Sequence, residues 1–274
     1  MSMDLDERFQ ELRERGEGAL MPHVYYGDPS PAFSEKLIGT LSMNGADIIE
    51  FGIPFSDPTA DGPTFQAACE RALRGGVTPS DCIRGLERLR EDGLDAPVIV
   101  TTYYNIPYVM GVGCFLGKIR SAGAQGVIVP NLPYEEADIL LEEARRHDVH
   151  VILQVAPTTT EERLKMITEA ASGFIYIINV EGVTGVRGSF QGSTLKLIER
   201  VRKHTDLPIL AGFGISNRRQ TSSLVAAGAD GIVAGSIFAQ IYEKSIGDPE
   251  RRLREISELV KELKTGCIEG YRMR

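Results

Sequence analysis

The stretch Ala227-Gly-Ala-Asp-Gly-Ile-Val-Ala-Gly-Ser236 joins the end of a predicted helix to a short apolar strand. Two related stretches occur earlier in the chain, Asn44-Gly-Ala-Asp-Ile-Ile49 and Ala122-Gly-Ala-Gln-Gly-Val-Ile-Val129. In each of them a glycine stands where a helix C-cap requires a positive φ angle. The recurrence indicates that the chain is built from repeated helix-to-strand units.

Short apolar segments alternate with longer amphipathic segments along the whole chain, a pattern typical of a parallel sheet covered by helices. We predict eight strands, at residues 20–25, 47–51, 98–103, 126–129, 151–155, 174–178, 209–212 and 231–234. Most of them are apolar throughout, as expected for strands that are covered on both faces. The segments between them repeat apolar residues with the 3.6-residue period of a helix.

Eight such units predict an α/β fold of the (βα)8 TIM-barrel class, as one domain spanning residues 1–274. An extra N-terminal helix, with Leu5, Phe9 and Leu12 on one side, is placed to close the bottom of the barrel, and a short helix is expected after strand eight. The alternative is an open doubly wound sheet, which often carries GxGxxG after its first strand. Here that strand ends in Tyr25-Tyr-Gly-Asp-Pro29, which favours the barrel.

Composition narrows the classes of partner. The chain has 274 residues, is 42% apolar and carries a net charge of -8, which argues against sequence-independent nucleic-acid binding. The four cysteines have neither metal-ligand nor disulfide spacing, so we expect reduced thiols and a cytoplasmic protein. The charged N-terminus lacks the apolar core of a signal peptide, and no stretch reaches the roughly 18 apolar residues of a membrane span. A small solute is the favoured partner, with no nucleic acid and no membrane.

Three glycine-rich turns follow the last three predicted strands: Gly182-Val-Thr-Gly185, Gly212-Phe-Gly-Ile-Ser216 and Gly235-Ser236. Barrels of this class commonly bind phosphate after strands seven and eight, at backbone N–H groups and the N-terminus of a short helix. Glycines also serve simply to make tight turns, but three such turns at one barrel mouth favour a phosphate site. The expected phosphate-binding residues are Thr184, Gly185, Phe213, Gly214, Gly235 and Ser236.

Two carboxylates are candidates for the chemistry. Glu50 ends the second predicted strand in an apolar frame that should raise its pKa, and Asp61 lies in the loop that follows. Carboxylates in different environments can divide acid and base work. Structural alternatives stay open at this point: an ion pair with an arginine or a helix cap for Glu50, and an Asx-turn or helix N-cap for Asp61. For Asp57, turn-making is favoured.

Other chemistries lack their residues. None of the eight lysines lies at a predicted strand end, which disfavours Schiff-base chemistry. The chain has no HExxH or EF-hand pattern, and His23 alone among four histidines lies on a predicted strand, so no metal site is expected. The remaining prediction is carboxylate acid–base chemistry on a phosphorylated molecule.

The segment Glu50-Phe-Gly-Ile-Pro-Phe-Ser-Asp-Pro-Thr-Ala-Asp-Gly-Pro-Thr64 resembles the signature of the tryptophan synthase alpha chain family. The three glycine-rich turns resemble the family's other motifs in the same order, and Gly27-Asp28-Pro29 fits as well. The resemblance covers essentially the whole chain. It implies a carbon–carbon lyase that cleaves indole-3-glycerol phosphate to indole and glyceraldehyde 3-phosphate, as the alpha subunit of tryptophan synthase in L-tryptophan biosynthesis.

The resemblance also implies roles for individual residues. Glu50 would transfer protons, Asp61 would hold the indole N–H and stabilise the cationic ring, and Tyr176 would assist. The implied indole pocket consists of His23, Thr101, Tyr103 and Ile128, and the implied partner-facing residues are Pro54 and Asp57. No metal or cofactor is expected in this chain; pyridoxal phosphate is expected in a beta-chain partner, within an alpha2beta2 heterotetramer.

Several positions depart from the family pattern. Where this chain has His23-Val-Tyr-Tyr26, relatives usually carry a Phe and small or Thr residues. An apolar residue is common in relatives at Thr101-Thr102, and Asn131 and Val180-Glu181 also differ from the family pattern. A more polar pocket should bind indole less well, because buried apolar surface contributes roughly 25 cal/mol per Å². The open alternatives are a stand-alone or altered-specificity lyase on this fold, a non-catalytic subunit that regulates the beta chain, and a phosphosugar isomerase, whose usual Lys or His is poorly provided for here.

Overall fold

In the computed structural model, the described residues are 3–178, 192–212 and 214–274. Nine parallel strands form one sheet in the order β5-β4-β3-β2-β1-β9-β8-β7-β6. The strands are β1 Ala19–Tyr25, β2 Ile49–Gly52, β3 Val98–Thr101, β4 Gly126–Ile128, β5 His150–Val151, β6 Leu153–Val155, β7 Ile175–Ile178, β8 Ile209–Gly212 and β9 Gly231–Ala234. The helices are α1 Leu5–Arg15, α2 Pro31–Met43, α3 Pro63–Arg74, α4 Pro79–Glu91, α5 Asn105–Met110, α6 Val112–Ser121, α7 Asp138–Arg146, α8 Glu161–Ala170, α9 Gly192–Arg202, α10 Arg218–Ala226, α11 Ser236–Glu243 and α12 Leu253–Arg272.

The two ends of the sheet meet at one residue. β5 pairs with β4 and β6 pairs with β7, and only Ile152 separates β5 from β6. The fifth predicted strand, 151–155, is therefore one barrel strand in two pieces, and β8 and β9 are the seventh and eighth. The predicted (βα)8 barrel is confirmed.

The repeated helix-to-strand joints have the predicted backbone. Gly45, Gly123 and Gly228 have φ angles of 120°, 98° and 110°, a region that favours glycine because it has no Cβ. Each glycine follows a helix and precedes a strand, so the chain turns back to the sheet at the same point of each unit.

The inside of the barrel is layered because strand side chains alternate between its two faces. A lower apolar layer includes Met21, Ile48, Ile99, Ile152, Phe174, Leu210 and Val233. Two residues further along the same strands stand His23, Glu50, Thr101, Gln154, Tyr176, Gly212 and Gly235. The period of two therefore places a mostly polar layer directly above an apolar floor.

Helix α1 fills the bottom of the barrel, as predicted. Leu5, Phe9 and Leu12 are buried and pack in the same cluster as the lower strand layer. The helix begins at an Asp4 capping box with Glu7 and ends at Gly16 in the left-handed conformation. The short helix expected after the last strand is α11. In the described parts of the chain, no helix has the length and apolar character needed to cross a membrane.

Candidate active site

A cavity of about 500 Å³ lies at the C-terminal ends of the barrel strands. Its lining combines the polar strand layer, the loop after β2 and the turns before α10 and α11. The lining residues are His23, Glu50, Ala60, Asp61, Gly62, Phe65, Thr101, Pro130, Gln154, Tyr176, Ile178, Gly212, Gly214, Val233, Gly235 and Ser236. The cavity therefore brings together both candidate carboxylates and the last two glycine-rich turns.

Glu50 is held in the cavity wall with 2% of its surface exposed. The Thr101 hydroxyl donates a hydrogen bond of 2.6 Å to Oε1, while Oε2 has no hydrogen-bond partner among the described residues. Burial raises the pKa of Glu50 to about 8; the Thr101 hydrogen bond opposes this rise and the negative charge of Asp61 adds to it. The structural alternative for Glu50, an ion pair with an arginine, is absent from the described contacts of this side chain. Glu50 therefore holds a proton near neutral pH and can act as an acid.

His23 lies beside Glu50, with 3.4 Å between Nδ1 and Oε1. Its ring packs between Tyr25 and Phe65, at centroid distances of 4.8 and 4.6 Å. Burial lowers the pKa of His23 to about 3, so the imidazole is neutral at physiological pH. His23 is thus a wall of the site rather than a cation.

Asp61 is held by two tyrosines. The hydroxyls of Tyr25 and Tyr103 each donate a hydrogen bond of 2.6 Å to Oδ2. Burial raises the pKa of Asp61, and the two tyrosine hydrogen bonds oppose that rise by favouring the carboxylate. The N-cap of α3 is Gly62, without a side-chain cap. Asp61 is therefore not the helix cap that its position in the sequence allowed.

Tyr176 stands in the cavity wall on β7, two residues above the floor residue Phe174. Burial raises its pKa well above 10, and the charges of Glu50 and Asp61 add to this effect. The phenol is therefore protonated and available as a hydrogen-bond donor to a ligand.

The predicted phosphate-binding turn before α11 forms one end of the cavity. Gly235 is the N-cap residue and Ser236 is the first residue of that helix. A Cβ at Gly235 would lie 2.5 Å from the Phe65 ring, so this position requires glycine. Gly214 lines the cavity with a φ of 49°. Backbone N–H groups at a helix N-terminus, with no side chain at Gly235 to cover them, are suited to bind an anion.

Some predicted positions lie outside the described residues. These are Thr184, Gly185 and Phe213 of the phosphate turns, together with the departures Val180 and Glu181. Their roles stay predictions from the sequence.

The four residues of the implied indole pocket are not equivalent. His23 and Thr101 line the cavity. Tyr103 is buried behind Asp61, where its ring stacks on Phe55 and its hydroxyl accepts a hydrogen bond from Ala60 N–H. Ile128 is buried in the lower apolar cluster and is not among the residues that line the cavity. These two residues support the site without lining it.

Several lining residues were not predicted from the sequence, among them Gln154, Phe65 and Pro130. Gln154 stands two residues above Ile152 on β6, so the inward period of that strand was the available signal. Phe65 lies on α3 and Pro130 follows β4, and neither belongs to a motif with a chemical meaning. Tyr25 likewise has a role, as a donor to Asp61, that strand position alone did not reveal.

The predicted partner-facing residues differ in exposure. Pro54 is buried in the chain, whereas Asp57 is exposed and accepts hydrogen bonds from Ser56 Oγ to its side chain and from Thr59 N–H to its backbone oxygen. Asp57 thus takes part in a turn through its backbone oxygen, and its partner-facing role stays a prediction. Among the exposed large apolar side chains are Tyr108 and Val109 on α5.

A buried ion pair at Asp28 ties α11 to α3. Asp28 is fully buried and accepts two hydrogen bonds from Arg71 of α3, at 2.7 and 2.8 Å, and one from Tyr242 of α11. The turn after β1 thereby holds together the helix behind the Asp61 loop and the helix at the phosphate end. The Gly27-Asp28-Pro29 segment thus has a structural role, because it supplies the buried carboxylate of this ion pair.

A larger depression of about 670 Å³ lies outside the barrel, where Arg84 of α4 and Lys118 of α6 are among its lining residues. It is shallow and contains no buried carboxylate, so the barrel mouth remains the candidate active site. Within the described ranges, no group of three or more His, Cys, Asp or Glu side chains is arranged to hold a metal ion.

Comparison with known proteins agrees with the geometry. Residues 9–267 match the family model of the tryptophan synthase alpha chain. The tryptophan synthase alpha chain of Methanopyrus kandleri is 43% identical over 98% of this chain and 97% of its own length, and that of Synechocystis is 42% identical over 94% and 96%. A structure of tryptophan synthase from Mycobacterium tuberculosis superimposes with a TM-score of 0.87 at 33% identity, covering 97% of this chain and 99% of the other.

Proposed function

Since this chain belongs to the tryptophan synthase alpha chain family, we propose that it cleaves indole-3-glycerol phosphate to indole and glyceraldehyde 3-phosphate through Glu50 and Asp61. The observation that carries this proposal is the cavity in which a buried, proton-holding Glu50 faces the same space as a tyrosine-held Asp61 and the N-terminus of α11. Together these groups provide an acid, a carboxylate that can stabilise a developing cation, and a place for a phosphate group.

Glu50 performs the proton transfers in this proposal. Its proton passes to C3 of the indole ring, which makes the ring a cationic indolenine. The resulting carboxylate then takes the proton of the hydroxyl on the adjacent carbon, and the carbon–carbon bond breaks as that carbon becomes the aldehyde. The bonding pair returns to the ring, so neutral indole leaves and Glu50 regains its proton. A pKa of about 8 suits a group that must give and take a proton near neutral pH.

Asp61 stabilises the cation formed midway. Because both tyrosines bond to Oδ2, Oδ1 is the oxygen left for the indole N–H. The attraction between this carboxylate and the ring grows as positive charge develops, so it favours the transition state over the bound substrate. Tyr176 lies within the same wall and assists by hydrogen bonding.

The phosphate group is proposed to bind at the N–H groups of Gly235 and Ser236, with Gly214 opposite and with Thr184, Gly185 and Phe213 completing the site. The partial positive charge at the N-terminus of α11 favours a dianion there. A phosphate held at the ends of β8 and β9 fixes how far the rest of the substrate extends across the cavity toward Glu50 and Asp61.

We also propose a beta-chain partner that carries pyridoxal phosphate, in an alpha2beta2 heterotetramer in the cytoplasm. The structural relatives include an aminoacrylate-bound form of tryptophan synthase from Mycobacterium tuberculosis. On this chain, Tyr108 and Val109 of α5 are 71% and 83% exposed, close in sequence to Tyr103, whose hydroxyl bonds to Asp61. Exposed apolar side chains of this kind support a partner surface at α5.

The direct test is to incubate the purified chain with indole-3-glycerol phosphate, with and without a beta chain, and to follow indole. We expect release of indole and glyceraldehyde 3-phosphate in equal amounts, faster when the beta chain is present. Absence of both products under both conditions would reject the proposed reaction. The retention of both carboxylates in one cavity is the reason for preferring catalysis over a purely regulatory role.

A further inference from the structure

The two oxygens of the Glu50 carboxyl have different surroundings. Oε1 accepts a 2.6 Å hydrogen bond from the Thr101 hydroxyl and faces His23 Nδ1 at 3.4 Å. Oε2 is buried and has no hydrogen-bond partner among the described residues. A buried oxygen without a partner is costly when it carries negative charge, and much less so when it carries a proton. The surroundings therefore distinguish one oxygen of the pair from the other.

We propose that Thr101 is a positioning residue for Glu50, whose hydroxyl fixes Oε1 as an acceptor and leaves Oε2 as the oxygen that carries the transferred proton. This inference rests on the proposed function, because it concerns the group that is proposed to transfer protons. The hydroxyl matters for geometry as well as for charge, since a 2.6 Å hydrogen bond to a carboxyl fixes the rotation of its terminal torsion, which is otherwise broad.

His23 supports the same arrangement. Its Nε2 is buried without a partner, so the tautomer with hydrogen on Nδ1 avoids an orphan N–H and directs the hydrogen toward Oε1 of Glu50. At 3.4 Å this contact is longer than a normal hydrogen bond, and Thr101 is therefore the principal donor.

The groups that face Glu50 come from three elements besides β3. His23 on β1 is neutral, Tyr176 on β7 is protonated, and Asp61 in the loop after β2 is the nearby negative charge. None of them is a cation. The Thr101 hydroxyl thus has no competitor among these groups as the main stabiliser of the Glu50 carboxylate, and its removal should be visible in the titration of that group.

The test compares Thr101→Val, which is nearly isosteric but lacks the hydroxyl, with Thr101→Ser, which keeps it. Thr102→Val is the matched control, because Thr102 is equally buried but does not line the cavity. The pKa of Glu50 is measured by NMR in ligand-free protein labelled at the glutamate carboxyl carbon. Indole release gives kcat and the pH profile of kcat/KM.

Loss of a hydrogen bond to the charged form raises a carboxyl pKa, so Thr101→Val should move the Glu50 titration above about 8, by on the order of one pH unit. The alkaline limb of kcat/KM should move upward with it, because protonated Glu50 is the active form. We expect kcat to fall by roughly tenfold or more, and Thr101→Ser to restore both properties.

An unchanged Glu50 titration in Thr101→Val would overturn the inference, and so would an equal upward shift in Thr102→Val. Equal loss in Thr101→Ser and Thr101→Val would do the same, since the hydroxyl would then be irrelevant. The NMR titration needs no substrate. A wild-type chain that releases no indole would therefore reject the proposed function while the assignment of Thr101 is still decided by the titration.

Discussion

Glu50 and Asp61 reach one cavity from β2 and the loop after it, yet their hydrogen-bond partners are of different kinds. Glu50 has one donor and one empty oxygen, whereas Asp61 has two tyrosine donors on a single oxygen. Burial raises the pKa of both, and Asp61 has the stronger hydrogen-bond compensation. The first arrangement favours a group that holds a proton and the second favours a carboxylate, which agrees with the separate roles proposed for them.

The tyrosine pair around Asp61 yields a test at the level of one hydroxyl. In Tyr103→Phe the carboxylate loses one donor, so the pKa of Asp61 should rise further and the acid limb of kcat/KM should move to higher pH. We expect kcat/KM at neutral pH to fall about tenfold, the effect of one hydrogen bond to a charged group. Steady-state indole release across pH measures both.

Tyr108→Phe is the control for that variant, because Tyr108 is 71% exposed and lies outside the cavity lining. It should leave the pH profile of the isolated chain unchanged. If the acid limb of kcat/KM in Tyr103→Phe lies at the same pH as in the wild type, the Tyr103 hydroxyl does not govern the ionisation of Asp61.

Among the described elements, α11 carries the proposed phosphate site. Its N-terminus opens into the cavity at Gly235 and Ser236, and Tyr242 on its buried face is tied through Asp28 to Arg71 of α3. The phosphate end and the Asp61 loop are thereby held in a fixed relation. A substrate that spans both ends would gain from this pre-formed spacing.

Ser236→Asp tests the helix terminus. The new carboxylate suits the helix, since negative charge stabilises its first turn, but it repels a phosphate at the same place. Two unit charges about 4 Å apart repel by about 4 kcal/mol at an effective dielectric constant of 20, so KM should rise at least tenfold while kcat changes little. Ser236→Ala, which removes one hydroxyl, should raise KM only a few-fold. Equal KM values for Ser236→Asp and the wild type would place the phosphate elsewhere.

The strands could be predicted from the sequence wherever a single physical property determined them. The apolar runs at 209–212 and 231–234 match β8 and β9, because a buried parallel strand needs continuous apolar residues. The run at 151–155 gave one strand where the structure has two pieces around Ile152, since barrel closure depends on pairing with both neighbours. Local pattern does not contain that information.

The site was predictable to the extent that it follows strand ends. Glu50 and the turn at Gly235 lie where the eight-unit pattern places the barrel mouth. The tyrosine donors of Asp61 and the packing of Phe65 on His23 depend on contacts between different elements, across 36 to 42 residues of chain. Such contacts arise from tertiary packing and have no signature in spacing.

At the scale of the whole molecule, the barrel has an apolar floor and a polar mouth. Helix α1 and the lower strand layer exclude water from below, and the same strands, two residues further on, present the chemical groups. The burial that raises the pKa of Glu50 to about 8 therefore follows from the architecture as a whole. The cavity wall is polar at His23, Thr101 and Gln154, where a pocket for an indole ring is expected to be apolar.

The most direct test of the central claim is indole release from indole-3-glycerol phosphate by Glu50→Gln, compared with the wild type and with Asp57→Asn. Glutamine keeps the shape of Glu50 but cannot cycle a proton, whereas Asp57 is an exposed carboxylate of a turn on the same loop. General acid–base catalysis contributes about 10²- to 10⁴-fold, so Glu50→Gln should lose at least 100-fold in kcat while Asp57→Asn stays near the wild type in the isolated chain. Indole release by Glu50→Gln at a rate close to the wild type would contradict the assignment of Glu50 as the proton-transfer group.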